Sequence, residues 1–270
     1  MQAHQHLPDS NRLSVVTALV LLAYALTPSI ALPIPALSLS LGGAIFTFQL
    51  TSSSLTSLFV ALLAGSGAAW LLQAHPHPLN RWQLLQHVPL PALTAWVIGV
   101  PLSNMSGGPQ WWAVFTFGGI LFVLVLTAEY IAVEPSDVRH GPSAIGLSAV
   151  IFSLYLILVI ALHAANTRLY LFLPAITLVM SLAAQRVRTL RIGRAVHWAW
   201  ATGIALVIGQ FAIGLHYLPL PPIRYGLFIT ALAYALTSFA ANWIEERLPP
   251  GLWLEPGIMA TVLLLIAILL

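Results

Sequence analysis

The sequence contains no cysteine and no lysine, and only 6% of its residues are charged. Without cysteine the chain forms no disulfides, thiolate metal sites, iron–sulfur clusters or cysteine nucleophiles. Its ten basic residues are all arginines, set against seven acids. Because basic and aromatic residues do not interleave along a polar groove, as they do in nucleic-acid-binding proteins, we expect no nucleic-acid partner.

Apolar residues are what the sequence has in abundance. Hydrophobic residues fill 59% of the 270 positions, and the mean hydropathy is +0.93. Such a chain has too little polar surface to coat a soluble globule of its size. The composition therefore predicts a single integral membrane domain over residues 1–270.

Nine apolar segments are predicted to cross the membrane, at a rise of about 1.5 Å per residue. They cover residues 14–32, 55–72, 82–100, 111–131, 143–165, 169–184, 195–217, 225–243 and 254–270. Small residues at 65–69 let another helix approach closely, and prolines interrupt the third segment. The sequence predicts an all-α polytopic membrane protein, a helix bundle of about nine transmembrane helices. Residues 1–31 also fit a cleaved signal sequence, and that alternative stays open.

Residues 33–51 alternate between apolar and polar side chains on both sides of a Gly-Gly pair. This pattern predicts a β-hairpin between helices 1 and 2, with Leu39 opposite Phe46 and Leu37 opposite Phe48. Because a lone hairpin has open edges that hydrocarbon does not satisfy, we expect it at the outer side of the membrane. The apolar positions also fit helical spacing, so a tenth span is the alternative.

Four of the ten arginines lie close together in the chain: Arg186, Arg188, Arg191 and Arg194. Positive charge at this density marks the cytoplasmic side, so residues 186–194 are predicted to form a cytoplasmic Arg-rich loop. Counting membrane crossings from this loop puts eight arginines inside and two outside. If the hairpin segment crosses the membrane, seven arginines are inside and three outside. We therefore expect a bacterial cytoplasmic (inner) membrane protein with its N-terminus inside and its C-terminus outside. The four arginines either bind lipid headgroups or only set this topology.

Glu129 is an acidic residue within a predicted span, near its cytoplasmic end. Two roles are open to it, pairing with an arginine of a neighbouring helix or joining Glu134, Asp137 and His140 around a divalent cation. A solvated loop with a local Glu–Arg pair is the simpler interpretation, because no metal motif has this spacing. The candidates for a polar pocket are Glu129, Arg139 and Arg168.

Few polar residues are expected near the middle of the membrane. Besides scattered serine, threonine and glycine they are Tyr24, Ser153, Tyr155, Gln210 and Tyr234. An ion-coupled carrier normally needs an ionisable group at depth, so this pattern counts against that class. Of the nine histidines, His163 and His216 are expected together on the outer side, as interfacial residues with a wet edge. We predict no catalytic, cofactor-binding or metal-binding residue.

Several apolar stretches are typical of a known group of proteins: residues 37–51, 91–96, 128–130, 168–174, 217–219 and 225–226. In them the chain resembles a family of bacterial polytopic membrane proteins that is catalogued only as a domain of unknown function. The resemblance implies a many-helix membrane fold with an outer hairpin. It brings no activity, ligand or catalytic residue.

Three functional hypotheses are compatible with this pattern. The first is a non-catalytic scaffold or subunit that packs against membrane lipids, other membrane proteins or a second copy of itself, because no deep polar constellation is evident. The second is a transporter or flippase of a lipophilic substrate, whose proline-interrupted spans would line a cavity. The third is an enzyme acting on a lipid-linked substrate, which would need an acid and an arginine within hydrogen-bond reach of each other.

Overall fold

The structure is a computed structural model. It describes residues 7–27, 37–41, 44–48, 52–76, 79–105, 107–192, 198–245 and 251–270. The described helices are α1 (Ser10–Leu26), α2 (Ser52–Leu72), α3 (Arg81–His87), α4 (Pro89–Asn104), α5 (Pro109–Ile131), α6 (His140–Ala164), α7 (Leu169–Ile192), α8 (Trp198–His216), α9 (Pro222–Ile244) and α10 (Gly251–Leu269). Two strands, β1 (Leu37–Leu41) and β2 (Ala44–Phe48), lie between α1 and α2.

Seven segments of the described chain are long and apolar enough to cross a membrane: Leu55–Leu72, Gln83–Leu102, Pro109–Ile131, His140–Ala164, Leu169–Ile192, Trp198–His216 and Pro222–Ile244. By helix length and hydropathy, the prediction of about nine transmembrane helices was wrong. Ser10–Leu26 and Trp253–Leu269 are apolar but shorter, whereas a crossing needs roughly 20 residues. The chain is a multi-pass membrane protein with seven candidate spans.

The two short strands pair antiparallel, with Leu37 opposite Phe48 and Leu39 opposite Phe46. They form a two-stranded sheet by themselves. Two strands of five residues are too small to make a layer of a core. The predicted fold class, which counted an outer-side hairpin as part of the architecture, is therefore corrected to a helical bundle alone.

One compact unit spans residues His6–Tyr130 and contains α1 to α5. In it α2 packs against α1 and α4 through its small residues. A Cβ atom built on Gly67 would lie 2.6 Å from Val16 Cγ1, and one on Gly65 would lie 3.1 Å from Val88 Cγ1. The prediction that residues 65–69 allow close helix packing is confirmed.

The third predicted span is two helices in the structure. α3 ends at His87, and α4 begins at Pro89, the first-turn position where a missing backbone N–H breaks no intrahelical hydrogen bond. α5 then returns along the unit and approaches α4 closely, because a Cβ on Gly118 would lie 2.6 Å from Ile98 Cγ2. The break brings His87 to the end of a helix, where its ring meets a side chain of α5.

The other compact unit includes residues Ile131–Leu270 and contains α6 to α10. α9 is its central helix and packs against α6, α7, α8 and α10. α7 continues through Ile192, so the prediction of an Arg-rich loop over 186–194 was wrong for the described residues 186–192. Arginine is a good helix former, and the helix persists after the hydropathy falls. Arg194 lies outside the described residues.

Candidate functional site

A cavity of about 520 Å³ lies among α6, α7, α9 and α10. Its volume is within the range of ligand-binding pockets, roughly 300–1,000 Å³. Most of its walls are apolar, and they include Phe152, Leu156, Val187, Met259 and Leu263. A wall of this composition accommodates hydrocarbon and offers few hydrogen-bond partners to water.

One end of the cavity is charged. The Arg191 guanidinium, near the end of α7, lies with Nη2 2.5 Å from Oε1 of Glu255, near the start of α10. The Tyr234 hydroxyl donates to the same carboxylate oxygen at 3.2 Å, and Arg191 Nη1 donates to Asn242 Oδ1 at 3.4 Å. Three helices thus converge on one ion pair, and the cavity is polar at this end and apolar along its length.

A series of polar residues follows the face of α9 that meets the cavity. Thr230, Tyr234 and Ser238 line it, and Asn242 continues the series at the same four-residue spacing. Residues four apart lie on one face of a helix, one above the other. Thr230 is 3% exposed, and its Oγ1 has no hydrogen-bond partner among the described residues. The cavity wall thus includes a residue with a buried hydroxyl that has no hydrogen-bond partner in the described part of the chain.

The cavity opens sideways, between α6 and α10. Ile145 of α6 is 75% exposed and Met259 of α10 is 41% exposed, and both line the cavity. The floor is closed, because Val187 of α7 and Ser238 of α9 are each 1% exposed. A ligand thus reaches the site from the side of the helices.

The four predicted arginines have different surroundings. Arg191 is at the polar end of the cavity, where it pairs with an acid. Arg186 and Arg188 are buried, and Arg186 Nη1 donates to Thr189 Oγ1 at 3.4 Å. Their proposed contact with lipid headgroups stays a prediction, as does any role of Arg194.

Glu129 pairs with a histidine, where the sequence suggested an arginine. Oε2 of Glu129 lies 2.7 Å from Nδ1 of His87, and the two side chains are 1% and 9% exposed. Beside this pair the His75 and Tyr130 rings are in contact, with centroids 4.8 Å apart. The His87–Glu129 pair is a buried polar link between α3 and α5 of the same unit.

The other candidates for a polar pocket lie far from one another. Arg139 precedes α6 and pairs with Asp137, Nη2 to Oδ2 at 3.1 Å, so this local pair contains an aspartate where a glutamate was predicted. Arg168 is exposed and follows α6, so the length of this helix, roughly 37 Å at about 1.5 Å per residue, separates the two arginines. In the described part of the chain no three His, Cys, Asp or Glu side chains are grouped as metal ligands would be.

The two histidines that were expected on one side do lie together. The ring centroids of His163 and His216 are 5.8 Å apart, and His163 stacks on Tyr225 with centroids 4.1 Å apart. Tyr225 is fully buried and donates its hydroxyl to Ala212 O. This cluster joins the ends of α6 and α8 to the start of α9.

The sequence contains a signal for part of the cavity. Ser153 and Tyr234 were recognised as polar residues at depth, but the four-residue spacing of Thr230, Tyr234 and Ser238 marks a whole polar face. No comparable signal exists for Glu255. It lies 64 residues from Arg191, and only the packing of α10 against α9 brings the two together.

Comparison with known proteins matches the chain to a family. Residues 32–270 match the model of a family described as "Protein of unknown function (DUF5656)". No curated protein and no solved structure matches the chain. The geometry of the site is therefore the basis for a functional proposal.

Proposed function

Because the chain belongs to the DUF5656 family of proteins of unknown function and has several membrane-spanning helices, we propose that it binds a membrane lipid in the cavity of its C-terminal unit. The observation that carries this proposal is the polarity of the cavity. It has an ion pair at one end and apolar walls along its length. A molecule with a charged head and a hydrocarbon tail matches both parts.

The side opening supports a ligand that arrives from the bilayer. The exposed residues at the opening belong to α6 and α10, and α6 is a candidate span. Exposed apolar residues on a spanning helix face lipid tails, so the tail of a ligand enters without crossing water. A lipid that enters sideways and is held by its headgroup is what a transporter or flippase of a lipophilic substrate requires.

The polar residues at the cavity weaken the main argument for the scaffold hypothesis. It relied on the lack of a deep polar constellation, whereas Arg191, Glu255 and Tyr234 form a hydrogen-bonded polar group at one end of a cavity. The acid–arginine contact also meets the condition set for an enzyme acting on a lipid-linked substrate. We place that function second, because a carboxylate engaged by both Arg191 and Tyr234 is held as an acceptor and its oxygen is already occupied.

The experiment that tests lipid binding is native mass spectrometry of the protein released from a mild detergent. We expect one lipid per chain to stay bound through washing with excess detergent, because the cavity shields both head and tail. Protein that emerges free of lipid after the first detergent exchange, while it is still folded by thermal unfolding, contradicts the proposal.

We further propose that the polar end of the cavity faces the cytoplasm of a bacterial inner membrane. The four arginines at the end of α7 and beyond support this orientation through the positive-inside rule. The chain has no cysteine, so a single Thr189→Cys variant carries one reactive thiol. We expect an impermeant maleimide to label it in inverted vesicles and not in intact cells. Labelling in intact cells would reverse the orientation.

A further inference from the structure

We infer that the Arg191–Glu255 pair receives a zwitterionic headgroup, one with both a phosphate and an ammonium group. The inference rests on the proposed function, since it names the class of lipid that the same cavity binds. The two side chains are 21% and 35% exposed. Both ends of the ion pair are therefore within reach of a headgroup.

A purely anionic headgroup does not suit this pair. A phosphate that binds Arg191 displaces Glu255 and leaves the carboxylate beside a second negative charge. Uncompensated charge is strongly unfavourable where water is partly excluded. A cationic headgroup has the opposite defect, because it binds Glu255 and leaves the guanidinium without its counter-charge.

A zwitterion exchanges one ion pair for two. Its phosphate accepts hydrogen bonds from the Arg191 guanidinium, whose planar fork suits phosphate oxygens. Its ammonium donates to the Glu255 carboxylate. The net charge of the site is zero before and after the exchange, so no charge is left without a partner.

The neighbouring side chains hold the two groups while they exchange partners. Tyr234 donates to Glu255, and Arg191 donates to Asn242. Each member of the pair thus keeps a second contact when their mutual bond opens. A site that is held in place loses less conformational entropy when the ligand binds.

The next turn of α9 suits the part of a phospholipid below its phosphate. Thr230 lies one helical turn from Tyr234, roughly 6 Å along the axis, and its buried Oγ1 has no partner among the described residues. An acyl ester oxygen at that depth accepts a hydrogen bond from this hydroxyl. Leu156 and Leu263 then face the acyl chains.

The test compares two phospholipids with identical acyl chains, one with a phosphoethanolamine head and one with a phosphoglycerol head. The delipidated full-length protein is offered an equimolar mixture, and native mass spectrometry counts the bound lipids. We expect the zwitterionic lipid to be retained in about tenfold excess, the ratio that one charge-assisted hydrogen bond supports. Soluble phosphoethanolamine at the same concentration is expected not to compete with the lipid, because it lacks the acyl chains. If it does compete, the site recognises the headgroup alone and not a lipid.

The decisive variant is Glu255→Gln, which keeps the shape of the side chain and removes its charge. It should bring the retained ratio to one or below, because Arg191 then favours the anionic lipid. The double variant Arg191→Glu with Glu255→Arg keeps an ion pair and should keep the preference for the zwitterionic lipid. If Glu255→Gln folds poorly, Glu255→Asp shows whether a negative charge at this position is sufficient for the preference. Equal retention of both lipids by the wild type, or a ratio that Glu255→Gln leaves unchanged, overturns the inference and leaves lipid binding standing. If neither lipid is retained, the proposed function fails together with this inference.

Discussion

Replacement of His87 with alanine is expected to destabilise the protein by about 3 kcal/mol, because a buried carboxyl group loses a hydrogen-bond partner. Glu129 is 1% exposed and lies 2.7 Å from the His87 ring. Without the imidazole, its carboxyl group loses that partner in a site that water does not reach. The thermal unfolding midpoint in detergent should fall on the order of 10 °C.

Two further variants separate the loss of the hydrogen bond from the loss of packing. His87→Gln keeps a donor of similar reach and should lower the midpoint less than His87→Ala does. The double variant His87→Leu with Glu129→Leu should recover most of the stability, because replacing both partners by apolar groups is often neutral. Equal midpoints for His87→Ala and the wild type would show that this pair does not hold α3 to α5.

The second large effect is expected from filling the cavity. Ser148 lines it from α6 and donates its Oγ to Ala144 O of the same helix at 2.8 Å. A buried indole occupies roughly 150–250 Å² of contact area. If Ser148→Trp removes about 100 Å² of lipid contact, the loss is about 2.5 kcal/mol at roughly 25 cal/mol per Å². Lipid retained in native mass spectrometry should then fall between about tenfold and a hundredfold.

A matched control is available on the same helix. Ile157 is 44% exposed and does not line the cavity, so Ile157→Trp should leave lipid retention unchanged. Ser148→Leu fills less of the cavity and should give an intermediate loss of retained lipid. It serves as the test variant if the tryptophan variant misfolds. Equal retention by Ser148→Trp and Ile157→Trp, both folded, would mean that the lipid binds elsewhere.

Hydropathy predicted the helices of the C-terminal unit closely. Segments 143–165, 195–217 and 225–243 correspond to α6, α8 and α9 within a few residues. The sixth segment was predicted to end at residue 184, because the hydropathy falls where the arginines begin. The helix α7 extends eight residues further. The first and last segments were counted as crossings, although the apolar helices Ser10–Leu26 and Trp253–Leu269 are shorter than each of the seven candidate spans.

The site was only partly accessible to prediction, for a physical reason. Arg191 was singled out because charge density is a local property, and it does lie at the cavity. Its partner Glu255 depends on how α10 packs, and the partner of Glu129 depends on the break between α3 and α4 at Val88. Local patterns predict which side chains are unusual, but tertiary packing decides which of them meet.

The most direct test of lipid binding in the C-terminal unit is photo-crosslinking with a phospholipid that carries a diazirine near the end of one acyl chain. After irradiation in nanodiscs, peptide mass spectrometry locates the adducts. We expect them to concentrate on the cavity-lining side chains within residues 144–156 and 259–263, and to disappear in Ser148→Trp. Adducts spread evenly over exposed helix faces such as Leu206 and Phe211 of α8, and unaffected by Ser148→Trp, would contradict it.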